Sequence, residues 1–93
     1  MIQHLNIIIT GKVQGVNFRV TTKAVADQLG IRGYAMNLPD ESVYVEAEGE
    51  KWMMDEFLEW CAQGPDSARV EKVEQTEGTL VGFIDFNIKK YKA

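Results

Sequence analysis

A chain of 93 residues, 45% of them hydrophobic and 26% charged, is long enough for one modest core over residues 1–93, too short for two, and too apolar for a disordered tail. Its net charge of -4 argues against a nucleic-acid partner, whose phosphates demand a basic stripe. No apolar run approaches the roughly 20 residues that span a bilayer, and Met1-Ile2-Gln3-His4 lacks the basic and apolar regions of a secretory leader.

The first strand is expected over Ile2 to Thr10, with Leu5, Ile7 and Ile9 on one face and Ile8 on the other. There follows the most informative stretch of the chain, Gly11-Lys12-Val13-Gln14-Gly15-Val16-Asn17-Phe18-Arg19. Its two glycines free the backbone to curl, so that consecutive N–H groups turn toward one point. A helix is expected from Phe18 to Leu29, with Phe18, Thr21, Thr22, Val25 and Leu29 on one face, Asn17 as N-cap and Gly30 as the stop. That helix offers the positive end of its dipole to the glycine loop. Arg19 adds a permanent charge and a planar fork of donors suited to phosphate oxygens. A cation in a first helical turn is electrostatically poor unless an anion shares the site. The stretch is not a Walker loop, which needs Gly-x-x-x-x-Gly-Lys-Ser/Thr.

Ile31 to Leu38 reads as the second strand and Pro39-Asp40-Glu41 as a tight turn. Ser42 to Gly49 alternates cleanly, with Val43, Val45 and Ala47 inward and Tyr44, Glu46 and Glu48 outward. A second helix over Glu50 to Gln63 buries Met53, Met54, Phe57, Leu58 and Cys61, and Gly64-Pro65 ends it. Ala68 to Gln75 is the fourth strand, with an irregularity expected between Val70 and Val73. After a turn at Gly78, Phe83 to Ile88 closes the sheet with Ile84, Phe86 and Ile88 on one face. The order β-α-β-β-α-β is that of an α+β, ferredoxin-like sandwich, with two helices on one face of an antiparallel mixed sheet.

Three motifs carry a family resemblance. Gly11-x-Val13-Gln14-Gly15-Val16-x-Phe18-Arg19 resembles the first signature of the acylphosphatase family. Gly33-Tyr34-Ala35-Met36-Asn37, followed by Ser42-Val43 and Gly49, resembles its second, and Gly64-Pro65-x-x-Ala68-x-Val70 is similar to its loop into the fourth strand. The resemblance implies the same fold and a hydrolase that cleaves the carboxyl–phosphate bond of small acyl phosphates, releasing carboxylate and orthophosphate. It implies Arg19 and Asn37 as the catalytic residues, Asn37 placing the attacking water. Gln14, Gly15, Val16, Asn17 and Phe18 would form the phosphate cradle with Arg19. Where the family usually carries Gly in the hairpin turn, this chain has Glu41, which the family's geometry would hold at positive φ.

The chemistry asks for little else. A carboxylate leaves without a proton, and phosphoryl transfer is served by positioning and charge stabilisation. No metal or other cofactor is expected. The rival reading is a catalytically inactive anion-binding or interaction module on the same fold, since fold alone proves no function. An RNA-binding version would carry basic and aromatic strand motifs, which Ser42-Val43-Tyr44-Val45-Glu46 lacks. His4 is expected as a partly exposed strand-end residue, Cys61 as a small core residue, and Trp52 and Trp60 as caps on the helix–sheet seam. One cysteine forms no internal disulfide, so a reduced, cytoplasmic protein is expected, and nothing demands more than a monomer.

Overall fold

The computed structural model describes residues 1–92. The chain runs β1 (Ile2–Lys12), α1 (Phe18–Leu29), β2 (Arg32–Asn37), β3 (Val43–Glu50), α2 (Lys51–Gln63), β4 (Arg69–Glu77) and β5 (Phe86–Lys89). The five strands lie in the order β4-β1-β3-β2-β5. All neighbours are antiparallel except β2 and β5, which are parallel. This is the expected sandwich, with two helices over one face of a mixed sheet.

Strand alternation builds the core. Leu5, Ile7 and Ile9 pair with Ala47, Val45 and Val43, so both rows share one face. Ala35 of β2 and Phe86 of β5 extend that face, and Phe18, Ala26, Met54, Phe57 and Cys61 close it from the helices. Burial pushes the Cys61 thiol up to about 12, so it stays protonated and inert. Trp60 is half-buried with its ring 5.4 Å from Phe18, linking the two helices. Trp52 differs from its expected role, because at 59% exposed it seals nothing.

The irregularity expected in β4 is a bulge. Thr10 pairs with Lys72 and Gly11 with Val70, leaving Glu71 as the extra residue. Gly11 has φ 123, and a Cβ there would stand 2.2 Å from the Arg69 carbonyl oxygen. Glycine is therefore required by both backbone and space. Its consequence is to bend the end of β1 into the loop that follows.

The last strand is shorter than the alternation of Ile84, Phe86 and Ile88 predicts. It begins at Phe86, and Ile84 is 88% exposed in the segment that crosses from β4 to β5. That crossing also corrects the expectation for His4, which is only 4% exposed, and for Glu48, which is 2% exposed. Both side chains leave the sheet on the face away from the helices, where alternation puts them, but the crossing segment covers them. Glu48 accepts hydrogen bonds from the N–H groups of Val81 (2.6 Å), Gly82 (3.0 Å) and Phe83 (3.1 Å), and pairs with His4 Nδ1 at 2.6 Å. His4 Nε2 lies 3.0 Å from Asn6 Oδ1 and 3.1 Å from Glu46 Oε1. The Phe83 ring stacks on His4 with centroids 6.0 Å apart.

Charge follows from these contacts. Burial works to raise the Glu48 carboxyl, but the Val81 N–H, the His4 ring and the Phe83 and Gly82 N–H groups outweigh it and hold it down at about 2. Burial likewise works to lower the His4 ring, and the bonds to Glu48 and Asn6 with the Glu46 and Glu48 charges lift it above its ordinary value. Tyr34 and Tyr44 both donate to Glu46, and burial with that bond pushes Tyr44 up to about 12.

Candidate active site

The β1–α1 loop is built from backbone of alternating handedness. Gly15 has φ 72 and Asn17 φ 61, the kind of succession that turns N–H groups to one side. At Gly15 a Cβ would meet nothing within 4 Å, so glycine answers the backbone there and leaves the approach open. Asn17 stands at the N-cap position, as expected, but in the left-handed region and without a side-chain capping bond. The expected capping chemistry is therefore absent, because a left-handed residue does not aim its side chain at the first-turn N–H groups as an extended one does. Among the described residues, no protein acceptor takes the N–H groups of Gly15, Val16, Asn17 or Phe18. The first turn of α1 leaves further N–H groups free by construction. The loop is a cluster of donors at the positive end of a helix.

Arg19 follows in that first turn, half-buried, and among the described residues no carboxylate pairs with it. Asn37 comes from the last residue of β2. Its Oδ1 is buried and has no hydrogen-bond partner, the one such side-chain atom among the described residues. A buried amide oxygen without a donor costs about 1–3 kcal/mol. Such a cost is tolerated where a ligand or solvent donor completes the bond.

Gly15, Asn17, Phe18, Arg19, Val20 and Asn37 line one pocket of about 180 Å³. Five of these six residues were expected from the sequence, and Val20, 60% exposed at the rim, was not. Gln14 and Val16 lie outside the pocket lining. Val16 is buried in the core, and its carbonyl accepts from Ser67 Oγ at 3.1 Å. The Gln14 side chain turns the other way, its Nε2 donating to the carbonyls of Leu38 and Ser42 at 2.8 Å each. Neither the Ser67 anchor nor the Gln14 contact has a signature in the sequence, since both depend on how loops distant in the chain meet.

The β2–β3 turn brings Asn37 to its place. Leu38 donates to the Ser42 carbonyl at 2.9 Å and Glu41 to the Leu38 carbonyl at 3.1 Å. Asp40 Oδ1 accepts from both the N–H and the hydroxyl of Ser42. Glu41 has φ 74, the positive value that the family's usual glycine suggests.

Known proteins are similar to this chain in sequence and in fold. A family model described as acylphosphatase matches residues 5–88. An acylphosphatase of Acaryochloris marina is 46% identical over 84 residues, covering 90% of each chain. One from Thermotoga petrophila is 46% identical over 87 residues, 94% of this chain and 97% of the relative. Among solved structures, an acylphosphatase from Coxiella burnetii superposes with a TM-score of 0.91 at 31% identity, over 95% of this chain and 93% of the other. One from Bacillus subtilis gives 0.90 at 33%, over 96% and 99%.

Proposed function

The chain belongs to the acylphosphatase family, and from that premise we propose that Arg19 and Asn37 carry its reaction within the cradle of residues 14–19. The activity is that of a hydrolase acting on acid anhydrides: acyl phosphate and water give carboxylate and orthophosphate. The observation that supports the site reading is the buried Asn37 Oδ1, without a partner among the described residues, in the same pocket as Arg19 and the loop N–H donors.

The phosphoryl oxygens sit against the N–H groups of Gly15 to Phe18, with the Arg19 fork on two of them. Charge that redistributes in a loose transition state strengthens these contacts, so they lower the barrier as well as bind. Asn37 Oδ1 accepts a hydrogen bond from water and aims its oxygen lone pair at phosphorus, in line with the departing acyl oxygen. The carboxylate leaves as an anion and takes no proton. An amide is too weak a base to ionise the water, so the proton passes to a phosphoryl oxygen, and the product is orthophosphate with the atoms balanced. The reaction proposed here runs without a metal or other cofactor, in a monomeric, cytoplasmic protein.

Steady-state hydrolysis of a synthetic aryl acyl phosphate tests this mechanism. Activity is expected to survive excess chelator, and inorganic phosphate to compete with substrate. Chelator sensitivity reversed by magnesium would overturn the metal-free mechanism while leaving the family assignment in place.

A further inference from the structure

The Gln14 side chain is doubly committed. Both N–H bonds of its carboxamide are used, one on the Leu38 carbonyl and one on the Ser42 carbonyl, each at 2.8 Å. These carbonyls face each other across the base of the β2–β3 turn. Each already accepts one bond inside the turn, from Glu41 and Leu38 respectively. A carbonyl oxygen has two lone pairs, so Gln14 fills the second on each and duplicates nothing. The turn has weak bracing of its own: Pro39 has no N–H to give, and Glu41 is held at φ 74, where a side chain costs about 1 kcal/mol. Asp40 braces Ser42, but within the turn itself. Among the described hydrogen bonds, the Gln14 pair alone ties this turn to the phosphate-cradle loop.

The two tied segments hold the two halves of the site. Gln14 immediately precedes Gly15, where the cradle begins, and Leu38 immediately follows Asn37. We propose that the Gln14 side chain is a positioning residue, setting the distance and angle at which Asn37 presents water to the phosphoryl group held by the loop. The inference rests on the reading of Asn37 given above. With both donors spent on carbonyls, the Gln14 side chain is itself no phosphate ligand. Its contribution to turnover passes through Asn37.

A double-mutant cycle with phosphate inhibition tests this. Gln14→Met keeps the length of the side chain and removes both bonds. It is expected to lower kcat roughly fivefold, the scale of a modest misplacement of a reacting group, with the phosphate inhibition constant unchanged within about twofold. In an Asn37→Ala background the same substitution is expected to cost less than about twofold in kcat, because a residue acting through another adds nothing once that other is gone. A Gln14→Met loss that multiplies the Asn37→Ala loss would overturn the proposal, as would a rise in the inhibition constant matching the fall in kcat. Wild-type turnover in Asn37→Ala alone would instead remove the Asn37 reading and this inference with it. Circular dichroism checks folding. Should Gln14→Met fail to fold, Gln14→Glu decides: its carboxylate faces two carbonyl oxygens, whereas its protonated form donates to one. Its kcat relative to wild type is therefore expected to rise as pH falls through the carboxyl range, and a flat ratio would overturn the proposal.

Discussion

Two polar regions of this molecule obey opposite rules. The cluster of His4, Glu46, Glu48, Tyr34 and Tyr44, on the helix-free face of the sheet, holds most of the buried ionisable groups, and each has found a partner within the chain. The cradle holds few titratable groups, yet among the described residues it has the free N–H donors, the unpaired Arg19 and the orphaned Asn37 oxygen. Perturbed pKa values often mark functional sites, because active sites are where burial and charge are set against each other. Here they mark a structural fastening. Unmet hydrogen-bonding capacity, rather than shifted titration, separates the proposed site from the scaffold.

The comparison breaks most visibly at Arg19. Arg19→Ala is expected to lower kcat/KM of acyl phosphate hydrolysis by about 10²–10³-fold, the scale of losing one oxyanion donor, and to weaken phosphate inhibition. Arg19→Lys is expected to recover little, because one ammonium does not reproduce the fork. The denaturation midpoint should move little in either variant. A large stability loss with modest kinetic change would put Arg19 in the scaffold instead.

Glu48 should behave in reverse. Glu48→Gln keeps the shape but takes away the charge shared by three N–H groups and His4, at a cost of about 2–3 kcal/mol measured by denaturant unfolding. Its kcat should stay within about twofold of wild type, since the cluster touches nothing in the pocket. The pH dependence has a defined sign. Because the folded Glu48 carboxyl lies at about 2, below its ordinary 4.5, its stabilisation is present above 4.5 and fades as pH falls toward 2. Because folded His4 is raised above 6.5, its stabilisation is complete below 6.5 and is lost as pH climbs through the folded value. His4→Gln is expected to flatten that alkaline limb, and an unchanged limb would show that His4 is neutral in the fold.

Asn37→Ala sharpens the distinction within the cradle itself. Turnover is expected to drop at least about tenfold, a decade for each 1.4 kcal/mol of lost transition-state stabilisation, while competitive phosphate binding stays nearly intact. Equal losses in both would mean that Asn37 binds the phosphoryl group rather than water. The smallest effect belongs to Glu41→Gly, which relieves a positive φ but loosens the unfolded chain. Its denaturation midpoint should be unchanged or slightly higher, and a loss beyond about 1 kcal/mol would reveal a favourable contact of Glu41.

The sequence was most legible where physics is local. The alternation of Leu5, Ile7 and Ile9 and of Val43, Val45 and Ala47 fixed the inner face of the sheet, and the apolar stripe from Met53 to Cys61 placed the second helix. Spacing around Gly15 and Arg19 pointed to an oxyanion cradle, and resemblance to a known family added Asn37. What failed was long-range. Glu48 read as an outward, solvated residue because nothing near it in sequence announces a segment more than thirty residues later that covers it. Ile84 read as a strand residue from a period of two, but the crossing segment is tied down by Glu48 before any sheet pairing begins. The Gln14 side-chain contacts have no local signature, since the carbonyls they reach lie 24 and 28 residues away.

The place of β1 in the sheet has a consequence for synthesis. Its two neighbours are β3 and β4, and both lie later in the chain. As a ribosome extends the protein at ~5–20 residues per second, roughly 2–8 s separate the end of β1 from the end of β3. Throughout that interval Ile7-Ile8-Ile9 has no strand to pair with, and the pairing of Leu5 with Glu77 waits longer still. A segment whose Ile7 and Ile9 are fully buried in the finished molecule is thus the one left longest in search of a partner, when an apolar β-former is most open to chaperones and to other nascent chains.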